Sequence, residues 1–140
     1  MNAAKRIADN LAHVRSRIEA AAQRSGRKAS DIRLIAVTKY VDEEITRLVF
    51  AAGARELGES RPQQLWDKAE AFAGDDLQWH LVGHLQRNKI RRTLPCQPLI
   101  HSVDRLETLQ AIDRIAEELG TPASVLREVN PYGDAAKDGL

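Results

Sequence analysis

Lys39 is the side chain whose type and position offer the clearest chemistry in this sequence. It ends a short run, residues 32–39 (Ile-Arg-Leu-Ile-Ala-Val-Thr-Lys), that is apolar on both parities. Such a run is the pattern of a strand covered on both faces in a parallel sheet. Lys39 shares strand parity with Ile35 and Val37, so if those two point into a barrel, the lysine points inward at its mouth. Partial desolvation there lowers the pKa of an amine and makes its neutral form available for imine formation with a carbonyl compound. The commoner fate of a strand-end lysine is to turn out to solvent, so the pattern alone leaves both outcomes open.

The other reactive types are less suggestive. His80 and His84 are four apart, a metal-binding spacing on a helix, but their segment has the pattern of a strand and a turn, which separates the rings. Cys96 and His101 are far along the chain, so the histidines are expected to be structural or to line a pocket, with no metal ligand among them. Arg87, Lys89, Arg91 and Arg92 form a basic cluster without interleaved aromatics or a glycine-rich cradle, which fits a solvated helix face. Glu59 and Asp104 lie near strand ends, and Asp104 with Glu107 three residues on has the form of a capping box. No nucleophile elbow, P-loop or dinucleotide fingerprint occurs.

The elements that must position these groups alternate. Ile7, Leu11, Val14, Ile18 and Ala21 mark one face of an N-terminal helix within residues 1–26, stopped by Gly26. After the first strand, Asp42 caps a helix ended by Gly53. Residues 54–58 form a weak strand, and Pro62 opens a helix closed by Gly74. Residues 77–82, 98–101 and 123–130 are further strands, separated by a basic helix over about 85–92 and an amphipathic one ended by Gly120. Five strands alternating with helices mean a parallel α/β sheet, either an open doubly wound one or an incomplete eight-stranded barrel. Both gather ligands at the carboxyl ends of the strands, which singles out Lys39, Glu59, Ser60, Arg61, His84, Ser102 and Asn130.

Bulk properties are those of one ordinary globular domain of 140 residues. With 21 basic against 20 acidic side chains, no nucleic-acid or membrane partner is expected from charge. No apolar run reaches spanning length, and a single cysteine fits a reducing, cytoplasmic setting.

Five segments occurring in order also carry a family resemblance: residues 35–39 (Ile-Ala-Val-Thr-Lys), 58–61 (Gly-Glu-Ser-Arg), 79–89 (Trp-His-Leu-Val-Gly-His-Leu-Gln-Arg-Asn-Lys), 101–104 (His-Ser-Val-Asp) and 128–130 (Glu-Val-Asn). Together they closely resemble the pyridoxal 5'-phosphate (PLP) homeostasis protein family, and the run at 79–89 is highly specific to it. The resemblance implies a β/α barrel of the TIM type, similar to the N-terminal domain of alanine racemase, with about five of its eight strands in residues 1–140. It implies that Lys39 forms the internal aldimine with PLP and that Ser60, Arg61, His84, Ser102 and Asn130 bind the cofactor. Family members resemble carriers or regulators acting on vitamin B6 and amino-acid pools, without established turnover, so no catalytic residue is expected.

Two departures qualify this. Serine stands at position 60 where the family usually has asparagine. The family's remaining three strands, with its phosphate-gripping segments and the arginine facing the pyridine nitrogen, would lie beyond Leu140, the chain ending inside the loop after the fifth strand. Uncovered strand edges then predict self-association. A racemase-like PLP enzyme and an inert fragment are the competing readings. The only tyrosines, Tyr40 and Tyr132, sit in no persuasive motif for a second catalytic base.

Overall fold

Asn2 opens the first helix, α1 (Ala3–Arg24), its side chain accepting a hydrogen bond from the backbone N–H of Lys5 at 2.8 Å. The structure, a computed structural model, describes residues 2–140. The face of α1 marked by Leu11 packs toward the core, and the helix lies against α2 (Glu43–Ala51), which Asp42 caps through the N–H of Ile45.

Five strands build one sheet: β1 (Ala36–Val37), β2 (Glu56–Glu59), β3 (Gln78–Leu81), β4 (Leu99–Val103) and β5 (Ser124–Arg127). All neighbouring pairs are parallel and the order is β1-β2-β3-β4-β5. A doubly wound sheet reverses its strand order at a switch point, whereas a β/α barrel adds each strand beside the last. The unbroken order therefore decides between the two architectures in favour of the barrel type.

The register assigns the faces. Leu57, Trp79, Leu81 and Ile100 share one face and are buried with Leu65 and Phe72 from the α3 segment and Ile112 and Ile115 from α5 (Leu106–Leu119). Here α3 is Pro62–Ala71, opened by its proline at the first turn. Phe72 meets Phe50 and Trp79 edge to face, both at 5.9 Å between centroids. Between β4 and β5 the register shifts between Ile100 and Val103, so these two residues of opposite parity are both buried.

Several expectations need correction. β1 is two residues long rather than spanning 32–39, because residues 29–31 form a 3₁₀ turn and the chain turns again after Thr38, whose N–H still reaches the Gly58 carbonyl at 2.8 Å. The basic helix over 85–92 is instead a 3₁₀ turn at Arg87–Lys89, a single α turn, α4 (Ile90–Thr93), and another 3₁₀ turn that uses Pro95. The capping box is absent: Arg105 is the N-cap of α5 and makes no side-chain cap, while Asp104 faces His84. The carboxylate lies 3.6 Å from the His84 imidazole there and caps no helix N–H group.

Candidate cofactor-binding rim

The carboxyl ends of the strands carry the residues singled out above. Lys39 follows β1 inside a turn over residues 38–41, closed by the Val41 N–H on the Thr38 carbonyl at 3.2 Å. Strand parity therefore stops short of it, and the turn sets its direction. The side chain is half-buried, with its Nζ 5.0 Å from the centroid of the exposed Tyr40 ring. Among the described residues it has no carboxylate partner, which leaves the amine uncommitted.

Behind this turn lies a polar cluster that the sequence did not announce. Glu59 is fully buried at the end of β2 and pairs with Lys68 of α3 at 2.5 Å. Lys68 Nζ also donates to the Thr38 and Val41 carbonyl oxygens, each at 2.8 Å, so all three of its donors are used. The Thr38 hydroxyl donates to the same Glu59 Oε1 at 2.7 Å. Glu59 Oε2 is buried without a partner among the described residues. The available signal was helical spacing: Lys68 sits three residues after Leu65 and four before Phe72, on the buried face of α3.

Ser60 and Arg61 follow β2. The Ser60 carbonyl oxygen lies 2.1 Å from where a Cβ on Gly83 would be, so glycine alone lets the ends of β2 and β3 approach this closely. Arg61 is exposed, is the N-cap residue of α3, and has no ion-pair partner among the described residues. Ser102 is half-buried and donates its hydroxyl to the Val82 carbonyl at 2.9 Å. Asn130 turns to its own loop, donating to the Asp134 carbonyl at 2.8 Å and accepting from the Asp134 N–H at 3.2 Å. That arrangement shapes the loop over residues 130–137.

His84 stands apart from His80, as the strand-then-turn pattern predicts. It is exposed, 3.6 Å from Asp104 and 3.2 Å from Asp138, and lines an open groove of about 810 Å³ with Arg87, Arg105 and Glu107. Lys39, Ser60, Arg61, Ser102 and Asn130 lie outside the lining of that groove. The basic cluster disperses: Arg91 pairs with Glu118, and Arg92 stacks 4.3 Å from the Trp66 ring centroid.

The sheet face opposite the helices holds a second polar chain. Arg33 pairs with Glu56, Glu56 Oε1 lies 3.0 Å from His80 Nε2, and His80 Nδ1 lies 2.8 Å from His101 Nε2. A carboxylate at Nε2 requires that nitrogen of His80 to carry hydrogen, so His101 donates to His80 Nδ1 when both rings are neutral. Burial pushes both imidazoles below their ordinary range, and the Glu56 carboxylate offsets part of this for His80. Hydrogen bonding from Arg33 in turn holds the Glu56 carboxyl below the usual carboxylate range.

No family model matches the chain. Among curated proteins, a pyridoxal phosphate homeostasis protein of Aquifex aeolicus is 36% identical over 140 residues, covering 100% of this chain and 60% of that protein. One of Pseudomonas aeruginosa is 37% identical over 133 residues, covering 95% and 58% respectively. The chain thus spans less than two thirds of the length of these relatives. Among solved structures, PipY of Synechococcus elongatus with PLP bound is similar at a TM-score of 0.77 and 36% identity, over 92% of this chain and 57% of that one. Alanine racemase of Streptomyces coelicolor, at 23% identity and a TM-score of 0.63 over 93% of this chain and 34% of its own, shares the fold. The unbroken parallel order and these similarities lead to one conclusion: the chain is similar to the N-terminal portion of pyridoxal phosphate homeostasis proteins.

Proposed function

We propose that this chain binds PLP covalently through the Lys39 amine and serves PLP and amino-acid homeostasis as a carrier, without turning over a substrate. The observation that carries this reading is Lys39 itself: an amine held by a turn at the carboxyl end of the sheet, with no carboxylate paired to it among the described residues. PLP supplies an aldehyde for that amine and a phosphate dianion for cationic and N–H or O–H donors. Arg61, exposed and without an ion-pair partner among the described residues, and the Ser60 hydroxyl offer such donors on the same rim, while the His84 imidazole faces its own groove. Ser102 and Asn130 are engaged with the protein's own backbone, so their part in this reading is to shape the rim.

Absence of turnover is part of the proposal. Tyr40 and Tyr132 are 90% and 91% exposed, and neither is held in place as a second base for proton transfer. Among the described residues no helix is long and apolar enough to cross a membrane. The reading places the protein in the cytoplasm and has β1 and the uncovered sheet face met by a second copy or by further β/α units. Borohydride reduction after incubation with PLP, followed by peptide mapping, should find the pyridoxyl group on Lys39, and Lys39→Ala should abolish it while retaining the fold. Label on Lys89 or Lys137 in its place would overturn the assignment.

A further inference from the structure

We infer that Lys68, Glu59 and Thr38 form a buried clamp that positions Lys39 for its covalent chemistry, an inference that rests on the reading of Lys39 above. The turn over residues 38–41 places Lys39 and Tyr40 at its two central positions, and its first and last carbonyl oxygens both converge on Lys68 Nζ at 2.8 Å. Glu59 Oε1 completes the ammonium's shell at 2.5 Å and simultaneously accepts the Thr38 hydroxyl at 2.7 Å. The turn is thereby pinned from three sides to α3 and to the end of β2, while the lysine at its apex stays free of ion pairs among the described residues. A buried ion pair is weak evidence of a gain in stability, since such pairs are exchanged for apolar residues without loss in many proteins. What the cluster does provide is a fixed backbone at the residue whose amine must meet a carbonyl carbon in the right geometry. Lys68 and Glu59 touch no cofactor; they act through the turn.

The test exploits the exchangeability of buried pairs. The double variant Lys68→Met/Glu59→Leu replaces both charges with apolar groups of similar size and should fold, judged by circular dichroism and thermal melting. Its rate of borohydride-trapped pyridoxyl incorporation at Lys39 should fall, by up to about 10²-fold for a reacting group displaced by an ångström. A folded double variant that labels Lys39 at the unaltered rate overturns the inference. If that variant does not fold, Thr38→Val and Thr38→Ser decide: Thr38→Ser keeps the hydroxyl and should label normally, whereas Thr38→Val should label more slowly, and equal rates overturn the clamp. Should the unaltered chain take no pyridoxyl group on Lys39 at all, the PLP reading fails by itself. Amide hydrogen exchange at Val41, whose N–H closes the turn, then judges the clamp: faster exchange in Thr38→Val than in Thr38→Ser upholds it, and equal exchange overturns it.

Discussion

Leu57, Leu81 and Ile100 on the helix-covered face of the sheet are sealed from solvent, whereas Val37, on the opposite face, is 50% exposed and Leu126 of β5 48%. The two faces are made from the same strands, residue by residue in alternation, yet they obey different rules. The covered face is apolar and close-packed, joined by α3 and α5 into one cluster. The opposite face carries exposed aliphatic side chains beside the Arg33–Glu56–His80–His101 chain, where polar groups are satisfied by one another. In a closed β/α barrel the inward face is filled by side chains from all around the ring. The difference separates what holds this chain together from what it presents: helices and the covered face supply the stability, and the open face and the strand ends present polar side chains.

This contrast can be broken most directly at the covered face. Leu81→Ala removes a fully buried side chain and should cost about 2–5 kcal/mol in unfolding free energy by denaturant titration. A loss below about 1 kcal/mol would mean that the helix-covered face does not carry the stability assigned to it. An intermediate effect is expected from acid. The folded state holds His80 and His101 below the ordinary imidazole value, so the unfolded chain takes up protons that the folded chain resists. Stability from this source is complete above the ordinary imidazole value of about 6.5 and should decline as the pH falls below it. Glu56, whose carboxyl pKa is lowered chiefly by Arg33, loses its contribution in the same direction but further into acid. A flat profile across that window would remove the histidine pair from the account. The smallest effect belongs to Val37→Ala on the open face, expected to change stability by no more than about 0.5 kcal/mol. A large loss there would show that this face is packed after all.

How much of this was legible in the sequence differs by kind of interaction. The β/α alternation was, because its signals are local: Pro62 inside the start of α3 and Gly120 beyond α5, where the backbone is left-handed at φ 67°. At Lys39 the parity argument stops short, since β1 ends at Val37 and the turn takes over. Asp104 illustrates a local rule outbid by a tertiary partner, with His84 drawing the carboxylate from the cap. The buried clamp and the histidine pair were hidden because their partners are separated by 9 and 21 residues and meet only once the strands and helices are placed. Asn130 had a shorter-range alternative, its own loop, that spacing to the strand end did not reveal.

The approach of Ser60 to Gly83 has a consequence for how this rim tolerates change. A Cβ is fixed by the backbone and has no rotamer by which to escape, so the 2.1 Å clash with the Ser60 carbonyl oxygen is the same for every other amino acid placed at position 83. In a library of all substitutions, position 83 would give a row of losses in which alanine already shows the shared Cβ penalty, while the exposed Arg61 would show graded responses. Such a row behaves as a spacer of fixed length: it holds the ends of β2 and β3 at one separation, leaving the side chains around it free to vary without moving the ground on which they stand.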